Sequence, residues 1–210
     1  MKSFPDFTLE EAAIARGLAR VAGVDEVGRG PLAGPVTAAA VVLDPANIPP
    51  GLNDSKKLTE KRRLALAEAI HATAQVSIVH VDVEEIDRIN ILQAALTAMS
   101  RAVAGLATPP DHLLIDGNRL PEGCGSAEAV VKGDGKSLSI AAASIVAKVA
   151  RDALMVDLAQ QHPGYGWESN AGYGTSVHLR ALHQLGVTQH HRRSFAPIRN
   201  ILLQQKSPNP

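Results

Sequence analysis

The sequence predicts an α/β domain, a mixed sheet covered by helices. Two features of its order carry that prediction. Three apolar, strand-like runs come early and two shorter ones come later, with helical stretches between and after them. Two of those helical stretches are long, one periodic and one alanine-rich. A third feature concerns use rather than fold: carboxylates stand at the ends of three strand-like runs, where open α/β sheets gather their sites.

The elements follow in order. Glu10 to Ala19 reads as a short helix. Val21 to Val24 is a strand, and Pro35 to Leu43 is a second, joined to it by a Gly/Pro turn. A loop follows, DPANIPPGLNDSKK, and Thr59 then caps a helix over EKRRLALAEAIHATA. Val76 to Val83 alternates as a third strand. Ile86, Ile89, Leu92, Leu96, Met99, Val103 and Leu106 keep three-and-four spacing, so they share one face of a single helix that packs into the core. Pro109 and Pro110 stop it. His112 to Ile115 and Ala127 to Val131 are short strands. Ser139 to Gln160 is a long helix, stopped near Pro163, and Ser176 to Gln184 is a shorter one. The tail KSPNP reads as disordered.

Composition excludes several classes. Apolar residues make up 45% of the 210, enough for one sizeable core, and aromatics only 3%, so that core is aliphatic. The 21 basic and 21 acidic residues cancel, so any anion-binding surface must be local. One cysteine permits neither a disulfide framework nor a cysteine zinc site within the chain. No run approaches the ~18 apolar residues of a membrane span, and the N-terminus, with Asp6, Glu10 and Glu11, is not a secretory signal. A soluble, cytoplasmic protein without membrane partners is the expectation.

The acids are the informative residues. VAGVDEVGRGPLAGPV puts Asp25 and Glu26 side by side at the end of the first strand. Asp116 follows the fourth strand and Asp134 the fifth. Each alone suits a turn or a cap. Together at strand ends they suit one site whose repulsion needs cations, and oxygen-only ligands favour hard ions such as Mg²⁺ or Mn²⁺. Neighbours on a regular strand face opposite ways, so Asp25 and Glu26 can share a site only if the strand twists or ends there; Gly28 and Gly30 suit an abrupt end. Nucleotide loops are excluded. GVDEVGRG has Arg29 where a P-loop needs lysine, and GDGKS has Val130 where the first glycine belongs.

The blocks AGVDEVGRGPLAGPV, LNDSKKLTEKRR, VEEIDRINIL, LLIDGN, VVKGDGKSLSIAAASIVAKVARD, GYGTSVHL and HHRRSFAP closely resemble ribonuclease HII, the type 2 ribonuclease H family, over about residues 19 to 198. The resemblance implies a ribonuclease H-like mixed five-stranded sheet flanked by helices, with a small C-terminal helical segment. It implies a catalytic domain over 19–205, an N-terminal extension over 1–18 and a disordered tail over 206–210. It implies a metal-dependent endoribonuclease with a two-ion Mn²⁺ or Mg²⁺ site, whose partners are RNA–DNA hybrid and duplex DNA containing ribonucleotides. It would incise 5′ to an embedded ribonucleotide, leaving 5′-phosphate and 3′-hydroxyl ends. By the same resemblance Asp25, Glu26, Asp116 and Asp134 are catalytic, the first three being metal ligands. Gly28, Arg29, Gly30 and Tyr173 would recognise the 2′-hydroxyl, and Arg29 is also suited to a flanking phosphate. Asn53, Ser55, Lys56, Ser144 and Lys148 are candidate phosphate contacts. Lys56, Lys57, Lys61, Arg62 and Arg63 form a basic cluster, and His190, His191, Arg192 and Arg193 a second patch. Ala171 stands where the family often carries a lysine. No protein partner is implied. The rival readings are a two-metal DNA nuclease of the same fold, such as a resolvase or integrase core, and a binding module with an inactive site.

Overall fold

The structure is a computed structural model that describes residues 4–206. Its sheet has five strands in the order β3-β2-β1-β4-β5. β1 (Val21–Val27) pairs antiparallel with β2 (Val36–Val42), and β2 antiparallel with β3 (Gln75–Val81). On its other side β1 pairs parallel with β4 (His112–Asp116), and β4 parallel with β5 (Ala127–Val130).

Alternation along the strands divides the core into two layers. Ala22, Val24, Ala38, Ala40, Leu113 and Ile115 face α4 (Ile91–Ala104). Ala39 and Val41 face α2 (Glu60–Thr73) and α5 (Leu138–Gln161). Small residues meet on both sides of the second interface, since Ala141, Ala142, Ala143 and Ala147 are the α5 contribution. Backbones therefore approach closely, and Gly23 marks the limit. A methyl at Gly23 would stand 2.0 Å from the Ser139 carbonyl carbon.

The periodic stretch from Ile86 is two helices rather than one, α3 (Val83–Ile89) and α4. Asn90 breaks it with φ of 69° and ψ of 162°, outside the helical regions of either hand. Its side chain then caps α4 by accepting from the Leu92 and Gln93 N–H groups at 3.0 and 3.1 Å. The apolar period survives the break because both helices lie on one face of the sheet.

At the N-terminus, α1 (Thr8–Ile14) is shorter than the expected helix. Its buried Glu10 accepts from the Ser137 hydroxyl at 2.6 Å and the Ser139 N–H at 2.8 Å, at the start of α5. At the other end α6 (Trp167–Asn170), α7 (Ser176–Leu185) and α8 (Ala196–Lys206) pack with Met155 of α5 around Trp167, Leu182 and Ile198. Residues 207–210 of the expected disordered tail lie outside the described residues. No described helix is long and apolar enough to cross a membrane.

Gly23→Ala should destabilise the protein by ~2–3 kcal/mol or prevent folding, because the clash is with backbone that cannot rotate away. Urea denaturation followed by circular dichroism measures it, and a loss below ~0.5 kcal/mol would contradict the close β1–α5 approach.

Candidate active site

β1 does not end at Val24. It continues through Asp25 and Glu26 to Val27, paired with Ala39, Ala38 and Thr37 of β2. What ends is the other neighbour, because the parallel β1–β4 register stops at Val24 opposite Ile115. Asp25 and Glu26 therefore flank an open end of the sheet beside Asp116, one on each face. Of the two expected alternatives, a strand that twists or one that ends, the strand does not end here.

A cleft of about 400 Å³ sits there and is lined by Asp25, Glu26, Asp116 and Asp134 together. Each acid is held by local structure. Asp25 is 6% exposed, and one of its oxygens accepts from the Glu26 N–H at 2.7 Å. Asp116 Oδ1 accepts from the Gly133 N–H at 2.6 Å, which ties β4 to the 3-10 turn Gly133–Gly135 that carries Asp134. Lys132, with φ of 56°, turns the chain into that segment. Glu26 Oε1 accepts from Arg29 at 3.2 Å.

The electrostatics are those of crowded like charges. Burial, then the charges of Glu26 and Asp116, hold Asp25 well above the ordinary carboxylate range, with Asp134 adding to the rise and the Ser144 hydroxyl opposing it. Burial raises Glu26, and Arg29 partly offsets this. Burial and the neighbouring charge of Asp54 raise Asp134, with Lys56 opposing. Asp54 is an acid at this site that sequence reasoning passed over, although it lies in the quoted NDSKK; its side chain caps the 3-10 turn Ser55–Lys57.

The donor set is all oxygen, which fits a hard divalent cation. Asp25, Asp116 and Glu26 each commit an oxygen to a protein donor, and the two oxygens of a carboxylate offer more lone pairs than one bond uses.

The other expected site residues divide. Gly28, Arg29, Gly30, Ser55, Lys56, Ser144, Lys148 and Tyr173 line the same cleft. The Tyr173 ring lies against Gly30, where an added methyl would meet Cε1 at 3.3 Å. Ser55 and Ser144 are buried and bond each other at 2.9 Å, tying the 3-10 turn to α5. Lys148 pairs with Asp152 at 2.7 Å. Asn53 is not among the cleft residues; its side chain accepts from the Asp54 N–H at 2.9 Å. In the basic cluster, Arg62 and Arg63 serve structure, donating to the carbonyls of Pro50, Ser55 and Leu58.

The stretch from His190 to Arg193 is not a basic surface patch. His191 and Arg192 are fully buried. The reason is that Arg192 points inward to backbone carbonyls, and His191 accepts from the Thr188 N–H at 2.9 Å. Burial holds His191 down to about 3, so it is neutral at physiological pH. Ala171, in place of a lysine, takes a left-handed φ of 48°, and its carbonyl accepts from Arg151 at 3.0 Å.

A sequence profile described as Ribonuclease HII matches residues 22–198. The chain belongs to the ribonuclease HII family. It is accordingly an endoribonuclease, a hydrolase of the metal-dependent kind that cleaves the RNA of RNA–DNA hybrids. The ribonuclease HII of Cereibacter sphaeroides is 66% identical over 207 residues, 98% of each chain. Among solved structures, the ribonuclease H2 of Pyrococcus horikoshii matches with a TM-score of 0.76 at 27% identity, covering 90% of this chain and 100% of that one. Bst-RNase HIII, solved in complex with Mn²⁺, shares the fold with a TM-score of 0.71 at 21% identity, over 93% of this chain and 73% of that one.

The raised Asp25 fixes the sign of one pH effect. Its folded state keeps the proton to higher pH than the unfolded chain does, so stability falls as pH rises from the ordinary carboxylate range through the raised value. In EDTA at pH 8, Asp25→Asn should therefore melt above the wild type, by ~2–4 °C for each kcal/mol of repulsion relieved. The gap should close toward pH 4. A variant that melts lower at pH 8 would show that protein partners stabilise the Asp25 anion.

Proposed function

We propose that this ribonuclease cleaves RNA in hybrids and also incises duplex DNA 5′ to embedded ribonucleotides, by hydrolysis with two Mg²⁺ or Mn²⁺ ions, leaving 5′-phosphate and 3′-hydroxyl ends. The observation that carries this reading is the meeting of Asp25, Glu26, Asp116 and Asp134 with the Gly28–Gly30 loop and Tyr173 on one cleft. Asp25, Glu26 and Asp116 would hold the ions and Asp134 would complete the site. Bound there, such ions lower the pKa of water and neutralise charge on a departing oxygen. No side chain needs to act as the nucleophile, and the cleft offers no thiol or serine–histidine pair for that role.

The remaining residues bind and discriminate. Lys56 and Lys148 stand on the cleft wall, within the reach of a phosphate backbone. Arg29 is half exposed and can exchange its Glu26 partner for a flanking phosphate. Gly28 and Gly30 let backbone N–H groups come close to a sugar, where the 2′-hydroxyl separates RNA from DNA. Tyr173 is 45% exposed, and its ring borders that approach as a stacking surface.

A duplex carrying one ribonucleotide, compared with its all-DNA counterpart, tests the reading against a DNA nuclease of the same fold. Mg²⁺-dependent cutting of the first and none of the second is expected, with EDTA abolishing it. Cutting of both duplexes would support the DNA nuclease, and binding of hybrids without cutting would support the inactive module. Asp116→Asn should lower turnover by more than ~100-fold while the circular dichroism spectrum stays unchanged. Wild-type turnover in saturating Mg²⁺ would remove Asp116 from the site. Tyr173→Ala should harm incision at a single ribonucleotide by ~10-fold or more, with a smaller loss of affinity for long hybrids. Equal losses on both substrates would deny it a junction role.

A further inference from the structure

Two fully buried arginines, Arg151 and Arg192, form no ion pair among the described residues. A buried cation without a counter-charge is destabilising unless its donors are satisfied. Here backbone carbonyls satisfy them, and nearly all belong to one loop. Arg192 donates to the carbonyls of Gly28 at 2.6 Å, Arg29 at 3.0 Å and Gly34 at 2.9 Å. Arg151 donates to those of Ala33 at 3.2 Å and Pro35 at 2.9 Å, and from α5 it also holds Ala171, two residues before Tyr173. Burial pulls Arg192 down to about 9 and Arg151 down to about 10, so both remain cationic at neutral pH.

The direction of those carbonyls decides the direction of the neighbouring donors. In a trans peptide the C=O of one residue and the N–H of the next point opposite ways, and no described peptide bond is cis. With the Gly28 and Arg29 carbonyls turned inward to Arg192, the N–H groups of Arg29 and Gly30 point away from it, and both residues line the cleft. Among the described residues neither N–H donates to another backbone group. The loop cannot relax around a side chain at Gly28, where φ is +93° and a methyl would stand 2.2 Å from Arg151 Nε. Apolar packing could close such a loop without burying charge. It could not turn successive carbonyls to one side, which a planar guanidinium does with its forked donors.

We propose that Arg192, backed by Arg151, is a positioning residue that aims the Arg29 and Gly30 N–H groups into the cleft and so sets the preference for ribose over deoxyribose. This rests on the reading above, in which the Gly28–Gly30 loop meets the 2′-hydroxyl. Asp87 of α3 holds Arg192 in place from behind, since its carboxylate accepts from the N–H groups of Arg193 at 2.8 Å and Ser194 at 2.9 Å. The C-terminal segment thereby becomes part of substrate discrimination without touching substrate.

Binding in EDTA by fluorescence anisotropy separates this role from a purely structural one. The wild type should prefer a duplex with one ribonucleotide over the all-DNA duplex. Arg192→Lys, which keeps the charge and loses the fork, should lower that preference by ~10-fold while changing affinity for the all-DNA duplex by no more than ~2-fold. A variant that keeps the wild-type preference, or weakens on both duplexes equally, would overturn the proposal. If the wild type itself shows no preference, the reading of the loop fails first and this inference with it. Should the variant not fold, ¹⁵N spectra of the wild type decide. The Arg29 and Gly30 amide signals should shift with the ribonucleotide duplex and stay in place with the all-DNA duplex, and equal shifts with both would refute the assignment.

Discussion

Repulsion among acids at the open end of β1 and β4 is the constraint on which the rest of the structure depends. Asp25 is buried, and the charges of Glu26, Asp116 and Asp134 all oppose its ionisation. A flexible chain would separate such groups. Here the sheet prevents it, because Asp25 and Glu26 are locked into the β2 register while the β4 register stops one residue short of them. Asp116 and Asp134 are joined to each other through the Gly133 N–H. The stability that holds the acids together comes from the two alanine-rich core layers on either face, away from the cleft. Sites built this way are locally unfavourable and are offset by the remainder of the fold.

The same logic extends to the glycine-rich loop that lines the cleft. Residues 28–35 bury Leu32 and Ala33 against the C-terminal helices, and backbone bonds also tie them to segments far away in sequence. The Leu32 N–H donates to Gly172, the Gly34 N–H to His190, and the Arg192 N–H to Leu32. Around these bonds lies a second device, in which the Trp167 indole N–H donates to His178 at 3.0 Å and the His178 ring bonds the Tyr173 carbonyl at 2.9 Å. The C-terminal helices thus brace the loop and the tyrosine together. The cleft has one wall of acids anchored by the sheet and another of backbone and aromatic surface anchored by buried arginine and histidine.

Most of the fold was legible because it rests on period and punctuation. The strands announce themselves by apolar runs between turns, the long α5 by its alanines, and the start of α2 by Thr59. The acids were legible because carboxylates at three strand ends have no common structural purpose. Two kinds of feature were not. The Asn90 break leaves the three-and-four period intact, so apolar spacing alone does not reveal it; the signal was the asparagine itself, a residue type suited to capping a helix. The inward direction of Arg192 depends on carbonyls of residues about 160 positions away, which no local pattern records. A run such as HHRR reads as a charged surface for that reason.

The most direct test of the central claim is anomalous diffraction at the manganese edge from crystals grown with MnCl₂. Ion density is expected in the cleft, within ligand distance of Asp25, Glu26 and Asp116. Density elsewhere, with those three side chains bearing no ion, would contradict it.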